Sequence, residues 1–313
     1  MKLVEFMKNF PDEESCKQAF KAHRLKEGIV CNKCGGISHY WKKNREQWEC
    51  KNCQHRTTLK SGTVMQGSKL PFHYWFIAMH LVTSTKKSFS AKEVQRQLGH
   101  KRYEPIWAMM HKIRSVMGLR DEEYQLKEEV ELDEGFFETI SITRNKNEPL
   151  KRGRGSQRQT TVLVSVESKD AGEHYNPKKH GKNKKVGYLK MKVIKSLKKQ
   201  EVTKKVKTSV EHGAKIVSDK STSYVDLNNS YEVDSKVIPK SQISKVLPWV
   251  HTTISNAKRL LLDIHHRIDD DFLQSYLNEY CYKFNRRYID NTFENLLKAS
   301  VSYRWNYLGE AHG

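Results

Sequence analysis

The chemistry of this chain begins with four cysteines. Cys31 and Cys34 form one CxxC in VCNKCGG, and Cys50 and Cys53 form a second in ECKNCQ, with fifteen residues between the pairs. Each CxxC makes a tight turn that presents two thiolates to one ion, and two such knuckles complete a tetrahedral site that staples a small fold. The expectation is one structural Zn2+ held by Cys31, Cys34, Cys50 and Cys53. His55 follows closely, but four thiolates already close a structural site, so it reads as a surface or DNA-facing group. Cys16 and Cys281 stand apart and read as small core residues.

Two acids also stand where a carboxylate needs a reason. Asp133 lies in VELDEGFFE, whose alternation predicts a strand with Val130, Leu132 and Phe136 in or near a core. Asp219 ends a short buried strand, Ala214 to Ser218, in AKIVSDKSTSY. Further on, VLPWVHTTISNAKRLLLDIHHRI predicts a helix entered at Pro248. It carries His251, Asn256, Lys258 and Arg259, with Ile254, Leu260, Leu261 and Ile264 apolar. Two carboxylates brought together repel unless cations bridge them. Two Mg2+ or Mn2+ ions held there would activate an attacking oxygen and stabilise a leaving one, which is phosphoryl transfer. The competing reading makes Asp133 a strand-end cap and Asp219 a turn residue.

The order of these groups, an acid on a first strand, an acid at a later strand's end and a polar group on a following helix, is that of ribonuclease-H-like nucleotidyl transferases. The third group stays open between His251 and Asn256. His251 lies seven residues before Lys258, about two helical turns, and Asn256 two residues before it, so the two need not point the same way. Neutral Asn binds Mg2+ through its amide oxygen, whereas imidazole suits softer ions such as Mn2+.

The elements that must position these groups follow from pattern. TTVLVSVE, Thr160 to Glu167, is the natural antiparallel partner of the first strand, after the basic loop NKNEPLKRGRGSQRQ. A strand and helix are expected within the Lys-rich run from Asn176 to Lys207, and FLQSYLNEYCYKFNRR reads as a closing amphipathic helix ending in Asn285, Arg286 and Arg287. Ahead of Asp121, residues 70 to 119 turn helical. Ser90 caps a helix through Leu98, Gly99 makes a turn, and a second helix from about Tyr103 carries His111, Lys112 and Arg114. This reads as a helix-turn-helix with Lys112 and Arg114 toward DNA; the alternative is an ordinary helical hairpin with solvated charges.

Bulk composition agrees. With 57 Lys+Arg against 36 Asp+Glu the net charge is +21, the footprint of a protein that neutralises phosphates, and 37% hydrophobic residues exclude the disordered class. The N-terminal stretch holds acids and no apolar run of signal-peptide or membrane-span length, so an intracellular location without membrane contact is expected.

On these residues the chain resembles bacterial insertion-sequence transposases of the DDE type, in the subgroup with an N-terminal zinc ribbon. The resemblance is carried by the CxxC pairs, TTLKSGTVMQGSKLPFHYWF, VELDEGFFE, VSDKSTSY and the stretch from HTTISNAKRLLLDIHH to YKFNRR. It implies that Asp133 and Asp219 are the first two metal-binding acids and that Lys258 contacts DNA near the third position. That position commonly holds Glu in the family and has no acid here; relatives with Asn or His also exist, and the usual spacing selects His251 while SNAKR keeps Asn256 in play.

The reading is therefore an α+β protein: a zinc ribbon with an N-terminal helix over 1–66, a helix-turn-helix-like domain over 67–120, a ribonuclease-H-like mixed-sheet catalytic domain over 121–300 and a tail over 301–313. The function expected is that of a transposase that binds the terminal inverted repeats of an insertion sequence, cuts and joins strands, and works as a homodimer or larger on transposon ends and target DNA. Its expected DNA contacts are Lys112, Arg114, Lys258 and Arg259, and its expected location is the bacterial cytoplasm, on the nucleoid when bound. A sequence-specific DNA-binding protein with an inactive catalytic half is the alternative, and a nuclease that cuts without joining is a third reading.

Overall fold

The computed structural model describes residues 1–141, 156, 158–170, 184–219, 222–236 and 246–304. Most of the basic loop between the first two strands of the second unit, the start of the Lys-rich run and the end of the expected tail lie outside these residues. The chain forms two units, residues 1–120 with the segment from Tyr288 onward, and Asp121–Arg287.

The first unit opens with α1 (Leu3–Asn9) and α2 (Glu13–Glu27), the latter started by Asp12, whose carboxylate accepts from the Ser15 N–H at 2.8 Å. A three-stranded antiparallel ribbon follows, β1 (His39–Lys42), β2 (Gln47–Cys50) and β3 (Arg56–Thr58). Its aromatic pair Trp41 and Trp48 meets edge to face at 4.9 Å, with the Lys21 ammonium 3.7 Å over the Trp41 ring. Then come α3 (Phe72–Ser84), α4 (Ala91–Leu98) and α5 (Glu104–Glu122). Ser90 caps α4 through the Glu93 N–H at 3.1 Å, and Gly99 ends it at φ 62°, a left-handed turn that glycine adopts without strain.

The second unit is a five-stranded sheet. Its strands are β4 (Glu129–Glu138), β5 (Gln159–Asp170), β6 (Lys184–Ile194), β7 (Lys215–Asp219) and β8 (Glu232–Lys236), in the order β6-β5-β4-β7-β8. The first three pair antiparallel, and β7 and β8 run parallel to β4. Counted within the unit this is the 3-2-1-4-5 mixed sheet of the ribonuclease-H-like fold. Helix α6 (Lys199–Ser209) crosses between β6 and β7 and covers one face, where Val130, Leu132, Leu163, Ile216 and Val206 form a core. Helices α7 (Pro248–Ile264) and α8 (Leu273–Asn285) belong to the opposite core, with Phe137, Val162, Val164 and Val217.

Two expectations change, and one cluster gains a role. Phe137, not Phe136, is the buried aromatic of the first strand: it shares the face of Asp133, while half-buried Phe136 shares that of Val130 and Leu132. Helix α9 (Thr292–Ser302) joins the N-terminal unit, because Phe293 completes an aromatic cluster with Phe6, Phe10 and Phe76. The Asn285–Arg286 pair is an internal clamp: Arg286 Nη1 reaches Asp121 Oδ1 at 2.6 Å, and Asn285 bonds Asp121, the Tyr124 hydroxyl and the Leu189 backbone. Among the described residues, no helix is long and apolar enough to cross a membrane.

Candidate active site and zinc ribbon

The parallel pairing of β4 with β7 makes the site. Its ladder sets Val130 against Ile216 and ends on Leu132 against Ser218, so Asp133 and Asp219 each follow directly on the last pair of two strands that lie about 4.8 Å apart. Both belong to the face that α7 covers, since Phe137 on β4 and Val217 on β7 enter the α7 core. Beyond Ser218 the β4–β7 ladder stops while β4 runs on to Glu138, so the acids sit at the end of the parallel pair, where open sheets of this kind bind ligands.

Helix α7 brings a third candidate group to them. His251 Nδ1 lies 3.5 Å from Asp133 Oδ2. Val250, Thr253, Ile254, Ala257 and Leu261 form its buried stripe, and the half-buried His251 and Lys258 border that stripe two turns apart. Asn256 is exposed beside Ser255 and Arg259. At 100° per residue it points about 140° away from His251, so the helix brings His251 to Asp133 and leaves Asn256 in solvent. Lys258 Nζ is 5.6 Å from the centre of the Phe137 ring, on the site's side of the helix.

Two features bring α7 close to β4. A Cβ on Gly135 would meet Ile254 Cγ2 at 3.3 Å and Phe137 Cε2 at 3.0 Å, so the glycine gives α7 room to settle on the strand. The start of α7 is held by Glu131, whose Oε2 accepts from the Trp249 and Val250 N–H groups at 2.8 and 2.9 Å. Sequence reasoning passed over Glu131; the available signal was a second acid on the buried face, two residues before Asp133.

The electrostatics suit a cation. Burial pushes the Asp133 carboxyl up to about 6, opposed by the Glu134 N–H and reinforced by the Asp219 charge. Asp219 Oδ1 is buried with no hydrogen-bond partner among the described residues, a cost that a bound cation would remove. Two carboxylates and an imidazole form a donor set suited to Mg2+ or, with its nitrogen, Mn2+.

The four cysteine thiols converge in the ribbon. Their sulfurs lie within 4.8 Å of one another, with Cys31–Cys53 and Cys34–Cys50 at 3.5 Å, close to the edge of about 3.8 Å that a tetrahedral zinc–thiolate site requires. Burial opposes ionisation of Cys31, but the N–H groups of Cys34 and Lys33 outweigh it and bring that thiol down to about 6. Gly36 makes the cradle tight, since a Cβ there would lie 3.3 Å from Cys50 Sγ and 3.4 Å from Cys34 Sγ. Cys16 and Cys281 are buried, as expected of core thiols.

Lys112 and Arg114, expected to face DNA, are engaged internally. Arg114 is 1% exposed and donates to the Phe89 carbonyl at 3.1 Å, and half-buried Lys112 donates to the Gln66 carbonyl at 2.7 Å. The reason is that α5 is buried nearly all round from Ile106 onward, so its cations satisfy loop carbonyls. Arg259 is exposed on α7.

A family model described as the ISXO2-like transposase domain matches residues 125–285, and one described as the transposase zinc-ribbon domain matches residues 11–56. Among solved structures the chain is similar to the Mos1 transposase paired-end complex with left transposon end, at 10% identity over 73% of this chain and 79% of that one, with a TM-score of 0.28. It is similar also to the Mos1 strand transfer complex, at 10% identity over 77% and 82%, with a TM-score of 0.26. No curated protein matches it. Because the first of these family models spans more than half of the chain, this protein belongs to the family of the ISXO2-like transposase domain, with a transposase zinc ribbon ahead of it.

Proposed function

We propose that the chain is a DNA transposase that binds the terminal inverted repeats of its element and performs metal-dependent strand cleavage and strand transfer with Asp133, Asp219 and His251. One observation supports this reading above others: His251 Nδ1 stands 3.5 Å from Asp133 Oδ2, while Asp133 and Asp219 each follow directly on the last pair, Leu132 and Ser218, of the β4–β7 ladder. Asp133 and Asp219 would hold two divalent cations, with His251 as the third protein ligand. When bound, such ions activate the attacking hydroxyl oxygen and stabilise the leaving one. The chain's own part is positioning. The strand pair fixes the separation of the acids, α7 closes the face above them, and Lys258 and Arg259 offer positive charge to the phosphates of DNA. Synapsis of two ends calls for a dimer or larger.

In the N-terminal unit the DNA contact passes from the half-buried Lys112 and the buried Arg114, both engaged internally, to the exposed cations around α4: Lys86, Lys87, Lys92, Arg96, Lys101 and Arg102. The zinc ribbon supports that unit.

The test is cleavage and joining of labelled element-end DNA with Mg2+ or Mn2+. Asp133→Ala and Asp219→Ala should abolish both products, His251→Ala should lower them by at least tenfold, and Asn256→Ala should retain them, in line with the effect of removing metal-site groups. End DNA that is bound but cut under neither metal would instead support a DNA-binding protein with an inactive catalytic half; cutting without joining would support a nuclease.

A further inference from the structure

We infer that Glu131 is a positioning residue of the site: it fixes the height and rotation of α7, and so holds His251 against Asp133. The inference rests on the proposed reading of Asp133, Asp219 and His251 as metal ligands. Three observations support it. The first is a defect in the helix. The first N–H groups of a helix have no internal partner and are normally met by a side chain at the N-cap. In α7 the N-cap is Leu247, which offers no side-chain acceptor, and the first position is Pro248, which has no N–H. The unmet donors are those of Trp249 and Val250, and Glu131 Oε2 accepts both, at 2.8 and 2.9 Å. A carboxylate on a neighbouring strand thus does what the local sequence does not.

The second is burial. Glu131 is 1% exposed, so its charge lies out of water, where a hydrogen-bonded carboxylate at the positive end of a helix is favoured. The third is adjacency. Glu131 and Asp133 occupy the same face of β4 two residues apart, and His251 directly follows Val250. The strand that carries the first ligand therefore also grips the helix one residue before the third. Slippage of α7 along the sheet would have to break the Glu131 bonds before it could separate His251 from Asp133.

The side chain's reach separates this role from a purely electrostatic one. Gln keeps the length and one acceptor oxygen but loses the charge, whereas Asp keeps the charge and is one methylene too short to reach both N–H groups. Binding of Mn2+ to the full-length protein, titrated by electron paramagnetic resonance without DNA, gives a readout independent of turnover. Glu131→Asp is expected to weaken Mn2+ binding about tenfold, the lower end of the effect of losing a group that orients a ligand, and Glu131→Gln to stay within about threefold of wild type. In a His251→Ala background Glu131→Asp should have no further effect, because no ligand remains to be misplaced. Thermal melts of each variant establish that the fold persists.

Equal weakening with and without His251, or a Gln variant weaker than the Asp variant, overturns the inference. So does a Glu131→Asp protein that binds Mn2+ like wild type. If Asp133→Ala also binds Mn2+ like wild type, the reading of the site itself has failed, which is a different result from failure at Glu131 alone.

Discussion

Gly135→Ala tests whether the closeness of α7 to β4 matters to the site. The residue lies in the strand two positions after Asp133, on the same face, and carries no left-handed φ, so alanine strains no backbone. The new methyl would lie 3.3 Å from Ile254 Cγ2, 3.5 Å from Ile254 Cγ1 and 3.0 Å from Phe137 Cε2, so a neighbour must give by a few tenths of an ångström. Overpacking of this kind costs about 1–3 kcal/mol, and replacing glycine recovers about 0.4–1 kcal/mol from the unfolded chain, so with each at mid-range the net loss should be about 1.3 kcal/mol. Ile254 is one turn beyond His251, so the helix cannot rise there without carrying the imidazole with it. A misplacement near 1 Å can cost about a hundredfold in rate, and a few tenths should cost up to about tenfold. Denaturant unfolding and single-turnover cleavage measure the two effects. Ile254→Ala removes the two contacting atoms that belong to α7 and leaves the one on Phe137, so adding it to Gly135→Ala should recover part of the rate even though it opens a cavity when made alone. A variant destabilised as expected but cutting at the wild-type rate, or a double variant slower than either single one, would refute the link between this contact and the site.

Removing zinc with a chelator should make the thiols of Cys31, Cys34, Cys50 and Cys53 reactive and weaken binding to end DNA, both reversed by added Zn2+; thiols that stay protected after chelation would contradict a metal-held ribbon. Arg286→Ala leaves the buried Asp121 charge without its ion-pair partner, and should destabilise the protein by about 3 kcal/mol, the low end for a broken buried pair because the Asn285 amide still donates to Asp121. A loss below about 1 kcal/mol in urea unfolding would contradict the clamp. Neutralising the exposed Lys92 and Lys101 together should reduce the salt dependence of DNA affinity by a slope of about 2, whereas Lys112→Gln should leave that slope unchanged; the reverse pattern would return the contact to α5.

What could be read from the sequence is what is set locally. Cysteine spacing, the Ser90 cap with the Gly99 turn, and the strands around Asp133 and Asp219 all depend on residues within a few positions of one another, and each appears in the structure. The rest depends on distant partners. Both faces of β4 are covered, so alternation could not say which of Phe136 and Phe137 enters which core. The basic residues of α5 looked like a DNA-reading face because helical periodicity does not reveal that a helix is enclosed on nearly every side. Helix α9 finds its partners among Phe6, Phe10 and Phe76, more than two hundred residues earlier, and no local pattern announces that. Which of His251 and Asn256 lies nearer Asp133 depends on the facing of α7, which spacing alone did not give and its buried stripe shows.

The same geometry gives a last prediction. The two acids are fixed by a strand ladder, and α7 is located by backbone N–H bonds to Glu131 and by the Gly135 contact. None of these involves the side chain at position 251, so the helix should hold its place whatever residue stands there. His251→Glu puts a third carboxylate beside Asp133 and Asp219. Without a cation the added repulsion should lower thermal stability; with a divalent cation the change should reverse, because the ion binds the folded state and an all-oxygen site suits harder ions. The ratio of cleavage rate in Mg2+ to that in Mn2+ should therefore rise by several-fold over wild type, since imidazole favours the softer ion. Melting with and without Mg2+, alongside rates in each metal, checks both halves. An unchanged metal ratio with an unchanged melting temperature would mean that residue 251 does not face the cations, and the assignment of α7 as the third wall of the site would fall with it.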